Sequence, residues 1–177
     1  MTEIRIYFEG DKALRPGFSQ FLAPIRDAAR ARRIGFHPIA VGSRTEEDFQ
    51  VAVNSHPDAC NVLLRDSEGP DAPQRDLVFW MVELMEAWFL ADPDALERFY
   101  HKGFRRNALK QNPRVEEIPK DDVLEGLKQA TRETQKGQYH KTQHAPHILE
   151  SLDSAKVRKA APNCDRLFRE LLAKIDE

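Results

Sequence analysis

Residues Ala59 to Pro70 read ACNVLLRDSEGP and give the strongest indication of the fold. The apolar run at 59–64 has the length of a strand and shows no alternation, which is typical of a strand buried on both faces of a parallel sheet. It ends in a polar segment rich in turn-forming residues. The acidic side chains Asp66 and Glu68 are therefore expected at the carboxyl end of this strand.

Strand and helix patterns alternate on both sides of this segment. Three further strands are predicted, at residues 3–8, 34–41 and 77–82. Three helix patterns accompany them, at residues 18–29, 45–54 and 85–92. Asp92, just before Pro93, is expected to cap the next helix. The order β-α-β-α-β-loop-β-α predicts an α/β fold with a mainly parallel four-stranded sheet flanked by helices.

The second half of the chain has a different composition. Residues 102–141 hold ten Lys or Arg and six Asp or Glu, a local balance of +4. We therefore expect an α/β core at residues 1–100 and a basic C-terminal helical annex at residues 101–177. The two parts are expected to pack together as one structural unit.

The annex is expected to contain two helices and two irregular stretches. A helix is expected over Asp121–Ala130. Apolar residues spaced i, i+3, i+4, i+7 between Cys164 and Ile175 predict a final helix that packs on the core. The stretches 101–120 and 136–147 are polar and are expected to be irregular.

Bulk composition narrows the class of protein. The 177 residues are 41% hydrophobic, which is enough for a core, and the net charge of −2 gives no overall attraction to nucleic acid. The two cysteines lie far apart and form no metal motif, which favours a reducing cytoplasm. The amino terminus is not a signal peptide, and no apolar run approaches the roughly 18 residues of a membrane span. We expect a cytoplasmic protein with no membrane contact.

Acidic residues are concentrated where the predicted strands end. Residues 66–97 hold nine acids and one base, a balance of −8. Glu9 follows the first strand, so in a parallel sheet it lies at the same edge as Asp66. Crowded carboxylates repel one another unless a cation is present, and Mg²⁺ or Mn²⁺ prefers oxygen ligands. The pattern predicts metal binding by Asp66 and Glu68, with Glu9 as a third ligand or as the group that moves a proton; ordinary turn and cap residues are the alternative.

Glu86 is a further candidate metal ligand. In the helix after the fourth strand, it could reach the same edge, particularly if two ions clamp the attacking and leaving oxygens. The alternative is a carboxylate on the helix surface.

Basic and aromatic residues near position 140 form a candidate phosphate site. Lys141, His140 and Lys136 could supply positive charge to a phosphodiester as negative charge develops, and Tyr139 could stack on a base. A solvated loop is the alternative.

An E-G after the first strand and an acid-x-acid after the third resemble the Toprim domain of topoisomerases, primases and related nucleases. The segments at 66–70, 85–92, 112–120 and 136–141 also resemble domain of unknown function 4276, a Toprim-like bacterial family, over nearly the whole chain. The resemblance implies that Glu9 is the general acid/base or assists the metal, and that Asp66 and Glu68 bind it. Glu68 stands where the familiar motif has Asp, so its longer side chain is expected to place the ion differently or to bind it less tightly.

These observations favour a metal-dependent nuclease that acts on RNA such as tRNA, or on DNA. The resemblance implies that such a protein could be an effector of anti-phage defence beside an ABC-type ATPase. Two alternatives remain open at this point. One is a binding or regulatory module that docks on the ATPase, with latent catalysis or none. The other is a phosphohydrolase of small molecules that uses the same acidic edge.

Overall fold

A computed structural model describes residues 1–42 and 45–177 of the chain. Within these ranges four strands form one parallel sheet: β1 (Glu3–Glu9), β2 (Gly35–Val41), β3 (Cys60–Asp66) and β4 (Val78–Met81). The order across the sheet is β2-β1-β3-β4. The predicted α/β fold with a parallel four-stranded sheet is confirmed, and Asp66 is the last residue of β3.

Nine α-helices lie in the same described ranges. They are α1 (Arg15–Phe21), α2 (Ala23–Ala31), α3 (Thr45–Ser55), α4 (Ala87–Leu90), α5 (Pro93–Tyr100), α6 (Lys120–Thr131), α7 (Lys141–Ser151), α8 (Ser154–Ala160) and α9 (Pro162–Asp176). Short 3₁₀ helices occupy Lys12–Leu14, Arg106–Ala108 and Val115–Glu117. None of the described helices is long and apolar enough to cross a lipid bilayer.

The two faces of the sheet are covered unequally, because successive side chains of a strand point to opposite sides. Ile4, Ile6 and Phe8 of β1 join a large core with residues of α1, α2 and the helices from α4 onward. On the other face, Tyr7 joins a smaller cluster that includes Phe49 of α3. The sheet thus lies between a thick helical layer and a thin one.

The large core includes residues from both halves of the chain. The ring of Phe21 in α1 stacks on Trp88 at 4.9 Å between centroids and meets Phe168 of α9 edge-on at 5.9 Å. The apolar stripe of the last helix is buried there, as its spacing predicts. The annex residues therefore pack directly on the helices that cover the sheet.

Two helices differ from their sequence patterns. The single helix expected at 18–29 is divided at Leu22 into α1 and α2, because Pro24 has no backbone N–H to continue the helical ladder. The helix expected from Met85 to Asp92 is reduced to the short α4. Its first turns are closed by i→i−3 bonds, such as Ala87 N–H to Leu84 O, in place of the α-helical pattern.

The stretch 136–147 is not irregular throughout, contrary to the sequence prediction. Lys141 begins α7, which buries Ala145, Ile148 and Leu149 against the core. The polar first turn and the internal Pro146 concealed this helix, because both are typical of loops. Lys141 consequently lies at the start of a packed helix.

Asp92 is the most thoroughly bonded buried carboxylate of the fold. It accepts hydrogen bonds from the backbone N–H groups of Ala95 and Asp153, at 3.4 and 2.9 Å, and from Lys156 Nζ at 3.1 Å. The predicted cap of α5 is therefore confirmed. The same carboxylate also joins the start of α5 to the start of α8.

We predict that Asp92→Ala lowers the free energy of unfolding by about 3 kcal/mol, because several buried donors lose their acceptor together. Urea denaturation measures the change. Asp94→Ala is the control, since Asp94 contacts the same Lys156 from a half-exposed position and should lower the free energy of unfolding much less than Asp92→Ala does. Equal effects of the two substitutions would contradict this account of Asp92.

Candidate active site

A cavity of about 330 Å³ opens beside the carboxyl end of β3 and combines acidic and basic side chains. Its carboxylates are Asp66, Glu68 and Glu86. Its basic side chains are Lys120, Lys128, His140 and Lys141. Leu84, Leu124 and Tyr139 complete the wall. The structure therefore brings most of the predicted site residues to one place.

Asp66 is the buried centre of this group. Its Oδ1 accepts a hydrogen bond from the backbone N–H of Met85 at 2.8 Å, and its Oδ2 lies 3.9 Å from Lys141 Nζ. Burial raises the pKa of Asp66 to about 7, and the negative charges of Glu86 and Glu9 act in the same direction. Lys141 and the Met85 N–H favour the ionised form but do not overcome burial.

Glu86 is fully buried, so it is not the helix-surface carboxylate considered as an alternative. Its Oε1 accepts a 2.8 Å hydrogen bond from the hydroxyl of Tyr139 and lies 3.7 Å from Lys141 Nζ. Its Oε2 is buried without a hydrogen-bond partner. An acceptor left without a partner in the interior is costly, so this oxygen calls for a cation or a donor.

Tyr139 is a wall of the cavity and does not present a free ring. Its side chain is buried, and the ring meets Phe89 edge-on at 6.3 Å. The expectation that Tyr139 stacks on a base is therefore wrong. Burial, the charge of Glu86 and the hydrogen bond to Glu86 raise the pKa of Tyr139 far above its usual value. The hydroxyl thus remains a hydrogen-bond donor at all physiological pH values.

Glu68 lines the cavity but is held away from the buried pair. Its backbone has φ 61°, in the left-handed region that a glutamate rarely adopts. In an extended backbone, Asp66 and Glu68 would point to the same side, but the extended conformation does not continue to Glu68. Its side chain is 65% exposed and pairs with Lys120 Nζ at 3.0 Å. Glu68 therefore has a cationic partner of its own.

Glu9 ends β1 and faces Arg65. The parallel register pairs Phe8 with Leu64, so the strand pleat places Glu9 and Arg65 together on the α3 side of the sheet, opposite to Asp66. Glu9 Oε2 and Arg65 Nε are 3.7 Å apart, and neither atom has a hydrogen-bond partner. The charge of Glu9 still reaches Asp66, as the smallest contribution to its raised pKa.

The first turn of α7 presents the cationic side of the cavity. His140 precedes the helix, and its backbone N–H donates to Nδ1 of the buried His144 at 3.1 Å. Burial lowers the pKa of His144, and the nearby positive groups act in the same direction, so the ring stays neutral and can accept this bond. His144 therefore fixes the turn from which Lys141 and His140 reach the cavity.

The carboxylates of Asp66 and Glu86 are the type of ligand that a magnesium or manganese ion prefers. Mg²⁺ commonly uses only one or two protein carboxylates and takes its remaining ligands from water and phosphate. Asp66 and Glu86 provide two, one with an oxygen that has no partner. In the described part of the chain, no three His, Cys, Asp or Glu side chains are grouped closely enough to hold an ion by themselves.

The family described as Domain of unknown function (DUF4276) matches residues 11–172. The chain belongs to this family. Comparisons with curated proteins and with solved structures give no match. The DUF4276 match includes Asp66, Glu86 and Lys141, and Glu9 lies just before its first residue. Family membership therefore confirms the resemblance to domain of unknown function 4276 and assigns no activity.

Sequence reasoning missed several residues of this DUF4276 site. Lys120 and Lys128 line the cavity from α6, and their spacing with Leu124 at intervals of four was a usable signal of one helix face. Arg65, which directly precedes Asp66, was not recognised as the partner of Glu9. The bond between Tyr139 and Glu86 spans 53 residues of chain and left no local pattern.

The raised pKa of Asp66 predicts a specific pH dependence of stability. The folded state holds a proton on Asp66 up to about pH 7, whereas an unfolded chain releases it near its ordinary value of 3.8. Ionised Asp66 therefore costs stability as pH rises from about 4 to about 7. Asp66→Asn removes this cost and keeps an acceptor for Met85 N–H.

We expect the stability advantage of Asp66→Asn over the unmodified protein to grow by about 2 to 3 kcal/mol between pH 5 and pH 8. Urea denaturation at both pH values, in the presence of a chelator, measures it. Groups that titrate identically in both proteins cancel in the difference. A difference that stays constant with pH, or that shrinks, would show that the pKa of Asp66 is not raised in the folded state.

Proposed function

We propose that this chain is a metal-dependent nuclease of Toprim type that hydrolyses phosphodiester bonds at the cavity beside β3. One observation supports this most directly: Asp66 and Glu86 are buried side by side, and Lys141 lies within 4 Å of both. A buried acidic pair facing a half-exposed lysine is suited to a divalent cation and a phosphate together. The strand-end positions of Glu9 and Asp66 support the Toprim relationship.

The residues divide into two roles in this proposal. Asp66 and Glu86 would hold Mg²⁺ or Mn²⁺, whereas Glu68 and Glu9, the other carboxylates at this edge of the sheet, already face Lys120 and Arg65. When bound, the ion would polarise the phosphate and activate a water molecule for attack. Lys141 and His140 contact the non-bridging phosphate oxygens, and Glu9, whose negative charge reaches Asp66 from the opposite face of the sheet, assists the metal site electrostatically. The water oxygen bonds to phosphorus, the bond from phosphorus to the leaving oxygen breaks, and the proton lost by the water ends on that leaving oxygen.

The cationic lining supports a phosphate substrate more than a neutral one. Lys120 and Lys128 of α6 also line the cavity, so a phosphate backbone would meet basic groups from α6 as well as from the first turn of α7. Action on RNA such as tRNA, or on DNA, in the cytoplasm remains part of this proposal. So do an ABC-type ATPase partner and a role in anti-phage defence.

The cleavage test uses end-labelled tRNA, single-stranded DNA and duplex DNA with Mg²⁺, Mn²⁺ or a chelator. We expect metal-dependent cleavage of at least one polymer and a decrease of about 100-fold or more in Asp66→Asn, since the ion loses a charged ligand in a buried site. Glu9→Gln should also reduce the rate. Asp71→Asn, an exposed carboxylate in the loop after β3, should stay within about twofold of the unmodified protein.

Asp66→Asn, purified in parallel, also controls for contaminating nucleases. Cleavage that is unchanged in Asp66→Asn or in the presence of a chelator would disprove the proposal. Turnover of nucleotides or simple phosphoesters with no cleavage of polymers would replace the nuclease by a small-molecule phosphohydrolase. An inactive protein that co-purifies with an ATPase would favour the regulatory module instead.

A further inference from the structure

The carboxylates of the cavity differ in how fully their oxygens are satisfied. Glu68 is exposed and already paired with Lys120 at 3.0 Å. Glu86 is fully buried, with one oxygen bonded to Tyr139 and the other without a partner. Water can solvate Glu68 freely, but it cannot reach Glu86 in this way. An ion therefore gains more from Glu86, whose free oxygen has no competing solvent.

Tyr139 is itself firmly held, so it can hold Glu86 in turn. The backbone N–H of Tyr139 donates to Thr131 Oγ1 at 2.7 Å. The Thr131 hydroxyl in turn donates to Leu127 O at 2.7 Å, near the end of α6. The Tyr139 ring packs on Phe89. The phenol oxygen is thus fixed by α6 and the core before it meets Oε1 of Glu86.

A basic group already lies between the two buried carboxylates. Lys141 Nζ is 3.9 Å from Asp66 Oδ2 and 3.7 Å from Glu86 Oε1, both longer than a good hydrogen bond. Its side chain is 56% exposed, so it can leave this position at little cost. The space between Asp66 and Glu86 is therefore suited to positive charge that can be exchanged.

We infer that Glu86, and not the motif residue Glu68, is the partner of Asp66 in binding the divalent ion, and that Tyr139 positions Glu86 for this role. This inference rests on the proposed function for the presence of an ion. It assigns the ligand set to β3 and the segment before α4, with a positioning hydroxyl supplied by the annex. Lys141 is displaced toward the phosphate when the ion binds.

The experiment measures Mn²⁺ binding to the full chain without substrate, from the electron paramagnetic resonance signal of free Mn²⁺. Glu86→Gln should weaken binding by at least about tenfold, whereas Glu68→Gln should change it by less than about threefold. Tyr139→Phe keeps the ring and removes the hydroxyl, and should weaken binding by about tenfold, as loss of a group that orients a ligand commonly does.

Tyr100→Phe is the matched control for Tyr139→Phe. Tyr100 is also buried, but its hydroxyl lies 3.0 Å from His144 Nδ1 and contacts no carboxylate. The Tyr100→Phe variant should lose stability without losing Mn²⁺ affinity. This result separates a positioning role of Tyr139 from a general effect on folding. Thermal melting of every variant confirms that it is folded.

Three results would overturn the inference: Mn²⁺ affinity within about twofold of the unmodified protein in Glu86→Gln, an equal or larger decrease in Glu68→Gln, or no binding by the unmodified protein. Equal decreases in Tyr139→Phe and Tyr100→Phe would overturn the positioning role. Cleavage is not the readout. A protein that binds Mn²⁺ through Glu86 and cuts no polymer supports this inference and contradicts the nuclease.

Discussion

The hydrogen bond from Met85 N–H to the buried carboxylate of Asp66 joins the end of β3 to the segment that leads into α4. It directs the chain after β4 back across the sheet edge, and this brings Glu86 beside Asp66. Two carboxylates are then buried together, which is unfavourable without positive charge. Lys141 supplies that charge from the first turn of α7, so the acidic edge depends on a helix far away in sequence.

Sequence reasoning predicted well those features that have a local cause. The apolar runs identified the strands, and the turn-forming residues after Leu64 placed Asp66 at the end of β3. Glu9 was likewise placed correctly at the end of β1. What the pattern could not supply was the side of the sheet on which each carboxylate lies, because that depends on the register between β1 and β3. The register places Glu9 with Arg65, on the face opposite to Asp66.

The features that sequence reasoning missed all depend on contacts between distant segments. Tyr139 looked like an exposed aromatic in a polar loop, but Thr131 and Phe89 bury it. Glu86 was a candidate ligand on a predicted helix, with an exposed helix face as the alternative, but the sequence did not show the tight i→i−3 turns in which its buried side chain lies. The left-handed backbone of Glu68 also has no local signal, since glutamate is rarely found there. Tertiary packing decided each case.

Asp92 and Glu86 offer an instructive comparison, because both are fully buried and both face a lysine. Asp92 receives two backbone N–H groups and the Lys156 ammonium, and each of its oxygens has a donor within 3.1 Å. Glu86 receives one phenol, its lysine stays at 3.7 Å, and one oxygen has no donor. A carboxylate that serves only to join helices has no reason to leave an oxygen unsatisfied. The incomplete bonding of Glu86, six residues before a carboxylate that is fully bonded, is therefore a physical argument for the cation site proposed in the cavity beside β3.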